Sequence, residues 1–118
     1  MKRDMDLARK ILEQIEDKSE GVGGVEIDLP EYTSENISYQ IMLLHQAGLL
    51  KAHDCTSSGG FHWMASSLTW QGHEFLDAIR NDTVWNNVKE AVKEKGGSIP
   101  FEVLKALAMK IAGTVFGV

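Results

Sequence analysis

The chain has 118 residues, 43% of them apolar and 25% charged. That favours one globular domain whose core needs no disulfide or metal staple. The charged opening MKRDMDLARK predicts no secretory leader, and there is no run of roughly 18 apolar residues to span a membrane. A cytoplasmic protein with no membrane partner is therefore expected, and the single Cys55 fits a reducing compartment. The net charge is −5, and it is unevenly spread: residues 19–79 carry Lys51 alone against eight carboxylates. Such a stretch repels phosphate.

Residues 4–18, DMDLARKILEQIEDK, predict a helix with Leu7, Ile11, Leu12 and Ile15 on one face and Asp4 as its cap. SEGVGG (19–24) breaks it. VEIDLP (25–30) alternates Val25, Ile27 and Leu29 with acids, the pattern of a short half-buried strand that Pro30 ends. Thr33 or Ser34 caps the next helix, whose buried stripe is Ile37, Ile41 and Leu44. Gly48 closes it as the positive-φ residue, with Leu49 folding back on the last turn.

Residues 49–54 and 61–68 predict two strands of a hairpin around CTSSGG. Thr69 then caps a helix with Gly72, Phe75, Leu76 and Ile79 facing inward, and His73, Glu74, Asp77 and Arg80 facing water. A glycine on the buried side of a first turn points to close approach, expected here against the amino-terminal helix. Asp82 or Thr83 caps a further helix with Val84, Trp85, Val88 and Val92 inward, stopped by Gly96 and Gly97. Ser98 and Pro100 start the last one, striped by Val103, Leu104, Leu107, Ile111 and Val115.

The segments Gly48-Leu49-Leu50 and Leu68-Thr69-x-x-Gly72-x-x-Phe75-Leu76 flank the hairpin. They resemble the GLL and LTxxGxxFL elements of winged-helix regulators of the arsenic-repressor and multiple-antibiotic-resistance types. MKRDMDLARKIL, ISYQIMLLHQAGLL and LTWQGHEFLDAIRNDTVW are similar to a bacterial and phage-associated family, domain of unknown function 2513, over about residues 1–95. The resemblance implies an α+β, winged helix-turn-helix-like fold: helix, short strand, helix, two-stranded wing, helix, then two additional C-terminal helices. The expected organisation is a winged-helix-like core over 1–81. Residues 82–118 form a helical extension that packs on the core or makes a dimer interface, all within one domain. The family name brings no established activity.

If the domain binds DNA, the helix at 34–47 is the reader. Contacts to DNA or another partner are then expected from Ser34, Asn36, Ser38, Gln40 and His45, with Lys51, Ser57 and Ser58 on the wing. Asn and Gln match adenine edges. Phosphate binding needs Lys or Arg, and neither the reader nor the wing loop has one. Only PEYTSEN separates the first strand from the reader, too little for a full positioning helix. The leading reading is a regulatory DNA-binding module. The competing reading is a protein-interaction adaptor, with a homodimer formed through Leu104, Leu107, Ala108, Ile111 and Val115.

Enzyme readings find no support. GVGG (21–24) lacks the Lys-Ser/Thr of a phosphate-binding loop, and His73-Glu74 point in different directions on a helix. No catalytic residue and no cofactor are expected. His53, Cys55 and His62 gather near the hairpin at a spacing that matches no common zinc site, so they are read as wing surface, with no metal. Trp63, Trp70 and Trp85 are expected in core or subdomain contacts.

Overall fold

Helix α1, Met5–Lys18, begins at Asp4, whose carboxylate accepts the Leu7 N–H at 3.1 Å. It buries Leu7, Ala8, Ile11, Leu12 and Ile15, the apolar stripe expected of a helix with one face on a core. The computed structural model describes residues 1–20 and 23–117, so Gly21 and Val22 of the GVGG stretch lie outside the described residues. The fold is α+β, with five helices and one two-stranded antiparallel sheet.

The strand expected over 25–30 is not formed. It shrinks to a single bridge in which the Val25 N–H donates to the Ala65 carbonyl at 2.7 Å. The physical reason lies on α1. The Gln14 side chain accepts the Asp28 N–H and donates to the Asp28 carbonyl, both at 2.8 Å, while Lys18 Nζ donates to the Glu26 carbonyl at 3.1 Å. Side chains of a helix thus satisfy backbone groups that a neighbouring strand would otherwise have to satisfy. A turn, Tyr32 N–H to Leu29 carbonyl at 3.1 Å, leads into α2, Ser34–Gln46. Among the described residues no helix intervenes between α1 and α2.

Thr33 caps α2, accepting the Asn36 N–H at 3.1 Å. At the other end, Gly48 takes φ +79°. The Gly48 N–H reaches the His45 carbonyl and the Leu49 N–H the Leu44 carbonyl, each at 3.0 Å. This pair of reverse bonds satisfies carbonyls the helix would otherwise orphan. The chain enters β1, Leu50–Asp54, and returns as β2, Trp63–Leu68. Register runs from Leu50 opposite Leu68 to Asp54 opposite Trp63, with a bulge that leaves Ser66 unpaired. The bulge aims the Ser66 carbonyl at the Ser19 hydroxyl, 2.9 Å away, and the Ser66 hydroxyl at the Lys51 carbonyl, 3.2 Å away. Helix α1 packs on α2 and β2, and α2 packs on both strands.

Helix α3, Trp70–Ile79, starts where the hairpin ends. Thr69 is its cap, and its hydroxyl accepts the Gly72 N–H at 3.1 Å while donating to the Gly48 carbonyl at 2.6 Å. The Thr69 N–H donates to the Leu49 carbonyl at 3.0 Å. Gly72 meets that same carbonyl. A β-carbon at position 72 would collide with the Leu49 oxygen and lie 2.9 Å from the Leu49 carbonyl carbon. Close approach is therefore what Gly72 provides, but the neighbour is the Gly48–Leu49 corner and not, as expected, the amino-terminal helix. Phe75, Leu76 and Ile79 are buried, as their spacing predicts.

By contact the chain divides into two units, Met1–His73 and Glu74–Val118. In the second, α4 (Asp82–Glu94) packs against α5 (Phe101–Val115). The cap of α4 is Asn81 rather than Asp82 or Thr83; its side chain accepts the Thr83 N–H at 2.9 Å and the Val84 N–H at 3.1 Å. Val84, Trp85 and Val88 are buried, and the Phe75 and Phe101 rings meet edge-on at 5.3 Å. The buried line of α5 is Leu104, Ala108 and Ala112, with Leu107 and Ile111 at its margin and Val103 outside it. Small alanines let a helix lie close to its neighbour, and a stripe chosen by side-chain hydrophobicity misses them.

Substituting Gly72→Ala is predicted to destabilise the protein by about 1–3 kcal/mol, although alanine is the better helix former by about 1 kcal/mol. Urea unfolding checks this; an unchanged or raised midpoint would contradict the close approach to Leu49.

Candidate functional site

The surface where a partner was expected is built from α2 and the hairpin. Two of its expected contact residues face inward. Ser38 is 2% exposed, and its hydroxyl accepts the Trp63 N–H at 3.0 Å, pinning the first residue of β2 to α2. Gln40 is 1% exposed. Its oxygen accepts the Asp4 N–H at 2.9 Å, and its nitrogen donates to the Lys2 carbonyl at 2.9 Å and to Asn36 Oδ1 at 3.0 Å. All of the Gln40 amide is therefore committed to tying the amino terminus onto α2, and part of the Asn36 amide is committed to holding Gln40. Neither Ser38 nor Gln40 can reach a base edge or a partner. Polarity alone predicts an outward position for both; the backbone groups they satisfy are invisible in the sequence.

The remaining residues are distributed as follows. Ser34 is exposed beside Glu35, with its hydroxyl 3.5 Å from Glu35 Oε2. His45 is exposed, with its ring 5.7 Å from that of Trp63 and Nδ1 3.3 Å from the Leu50 carbonyl, a contact that favours the ring form bearing a proton on Nδ1. Lys51 is exposed on β1, and Ser57 and Ser58 are exposed at the hairpin tip. There the Ser57 hydroxyl accepts the Gly59 N–H at 3.2 Å, and Ser57 and Gly60 exchange backbone bonds of 3.1 and 2.9 Å. The tip is a closed, ordered turn. Cys55 is a free, exposed thiol. Among the described residues no group of three or more His, Cys, Asp or Glu is arranged to hold a metal ion.

Electrostatics follow the sequence. Met1–His73 carries six Lys and Arg against eleven Asp and Glu, whereas Glu74–Val118 carries six against six. The first unit therefore holds the whole net charge. At least three of its six cations are engaged locally: Arg9 lies 3.9 Å from Glu13, Lys10 lies 3.5 Å from Glu31, and Lys18 bonds Gln14 and the Glu26 carbonyl, each at 3.1 Å. Tyr32, foremost, and Glu31 hold the Lys10 ammonium above its ordinary value, with the ammonium 5.4 Å from the Tyr32 ring centre. At the hairpin, the Thr56 side chain and then its N–H, at 2.9 Å, hold the Asp54 carboxyl below the usual range.

Trp70 departs from expectation. It is 76% exposed rather than in a core or subdomain contact, whereas Trp85 is buried and Trp63 half-buried. Helical phase signals this in the sequence: with Thr69 as cap and Gly72, Phe75 and Ile79 inward, position 70 falls on the opposite side of α3. Phe61, at the hairpin, is also exposed. The stripe expected to form a dimer interface is mostly turned in. Leu104 and Ala108 are buried, Leu107 and Ile111 are half-buried, and only Val115 is exposed. That stripe belongs to the packed face of α5 and is not free for a second copy. No helix among the described residues is long and apolar enough to cross a membrane.

Two outcomes follow from these bonds. Ser38→Ala and Gln40→Ala should each lower unfolding stability by about 1–3 kcal/mol, because each strands a backbone N–H; chemical denaturation checks this, and neutral effects would contradict the inward placement. Because the folded Asp54 carboxyl titrates below its unfolded value of 3.8, its contribution to stability is present above that value and fades as pH falls through the folded one. Carbon-detected NMR titration should find Asp54 below 3.8, and Thr56→Val should move it upward; an Asp54 already at the ordinary value would contradict the Thr56 contact.

A family described as "Hypothetical protein (DUF2513)" matches residues 2–98, a span that ends before α5. An "Uncharacterized protein" of Haemophilus influenzae is 44% identical over 115 residues, covering 94% of this chain and 95% of that one. No solved structure gives a significant match. With the family pattern running from the amino terminus through α4, and a relative alignable along nearly its whole length, the chain belongs to the DUF2513 family.

Proposed function

We propose that this chain is a non-catalytic, winged-helix-like module that binds a basic protein surface through its amino-terminal unit, and that it does not read DNA. In this reading α2 stands at the reader position and the β1–β2 hairpin is the wing. The observation that carries it is the inward commitment of Ser38 and Gln40 on an α2 whose exposed flank keeps Glu35 and no Lys or Arg. Duplex binding draws most of its nonspecific affinity from cations laid against phosphates. Here six cations face eleven carboxylates in the relevant unit, and at least three of the six are already engaged. An acidic surface of this kind instead suits a partner rich in Lys and Arg. The exposed Trp70 ring supplies the type of large aromatic that anchors protein interfaces.

Duplex reading through Ser34, Asn36, His45 and Lys51 is the competing proposal, and a salt series separates the two. With a labelled random duplex, fluorescence anisotropy at low salt should give no binding tighter than about 10⁻⁴ M, the weak end of nonspecific affinity. Micromolar binding that weakens steeply as salt rises would overturn the proposal. On the positive side, a protein captured from the host should rebind in a purified two-component titration. Trp70→Ala should then weaken that binding at least about tenfold, the effect of losing a central aromatic anchor, without shifting Tm.

A further inference from the structure

The outward face of α5 carries an apolar strip that no part of the described chain covers. Val103 is 53% exposed and Met109 37%, and Ala106 lies exposed between them. Half-buried Gly113 continues the line about one turn beyond Met109. This face is separate from the buried line of Leu104, Ala108 and Ala112. It is bordered by two exposed charges, Glu102 and Lys110, which form no ion pair among the described residues. They stand eight residues apart on the same face, about 12 Å along the helix axis, with Ala106 at the midpoint.

That arrangement is self-complementary in one direction only. A two-fold axis through Ala106 that sets two α5 helices antiparallel brings Glu102 of one copy level with Lys110 of the other, at both ends of the seam. It also sets Val103 level with Met109, and the smallest side chain of the strip falls at the crossing point, where backbones must come closest. A parallel pairing instead stacks Glu102 on Glu102 and Lys110 on Lys110, which repel.

We infer that the outward face of α5 is a homodimer interface in which two copies pair antiparallel about Ala106. Two helices of 15 residues make a contact at the small end of specific interfaces, so a weak, reversible dimer is expected. The interface is closed and isologous. It neither needs nor excludes a basic protein partner for the amino-terminal unit.

Sedimentation equilibrium on the full chain tests the inference. The wild type should show a reversible monomer–dimer equilibrium, and Ala106→Arg should be monomeric. Glu102→Lys alone or Lys110→Glu alone should weaken the dimer about tenfold, since each turns two attractions into repulsions, and the double exchange Glu102→Lys with Lys110→Glu should restore it. In a Cys55→Ser background, Ala106→Cys should cross-link to itself under mild oxidation, because a residue on the two-fold axis meets its own copy within disulfide reach; Glu90→Cys, exposed on α4, should not. A chain that stays monomeric at several hundred micromolar overturns the inference. So does a dimer indifferent to the single charge reversals, or one that the double exchange fails to restore.

Discussion

The end of α2, the hairpin and α3 are joined at the carbonyl groups of Gly48 and Leu49. The Gly48 oxygen takes the Thr69 hydroxyl, the Leu49 oxygen takes the Thr69 N–H, and the α-carbon of Gly72 sits against that same Leu49 carbonyl. Four elements meet there: the end of α2, the start of β1, the end of β2 and the start of α3. Positive φ at Gly48 turns the chain out of α2, and the missing side chain at Gly72 lets α3 begin directly on that turn. Backbone polar groups that would be orphaned at two helix ends and a strand end are satisfied against one another. A side chain at residue 72 would force this corner open and loosen all four elements together.

Much of this was legible in the sequence because each feature is local. Asp4, Thr33 and Thr69 are caps whose side chains bond within three residues, and Gly48 is a helix stop of the usual chemistry. Phe75, Leu76 and Ile79 declare their face by period alone. The misreadings share one cause, a partner distant in sequence. VEIDLP alternates as a strand should, yet Gln14 and Lys18 of α1 take the backbone bonds a ladder would have made. Ser38 and Gln40 look like surface polar residues until Trp63, Asp4 and Lys2 arrive from 25, 36 and 38 residues away. On α5 the stripe was assigned by hydrophobicity, whereas packing against α4 selected the small residues Ala108 and Ala112.

The same misreadings bear on function. If α2 is the reader of a winged helix, as proposed, it is useful to DNA only if its polar side chains and cations point outward. Here the two best-placed hydrogen-bonding side chains act as internal staples, and cations of the unit are drawn to its own carboxylates. The features left on the outside are negative charge and an exposed indole at Trp70. In the reading proposed above, these suit a basic protein partner better than a duplex. The staples also explain how so short a connection between α1 and α2 suffices without a full positioning helix: Gln40 fastens the chain just ahead of α1 directly to α2.

Amide hydrogen exchange at Thr69 and Trp63, read by NMR in the native state, probes the Gly48–Leu49 corner and the Ser38 contact together. The first amide is held by the Leu49 carbonyl at the corner and the second by the Ser38 hydroxyl turned in from α2. Both should exchange only through opening of the whole amino-terminal unit, as slowly as the amides in the middle of α1. Exchange at the rate of an unstructured peptide at either position would contradict it, leaving Ser38 free to face a ligand or α3 free of its corner.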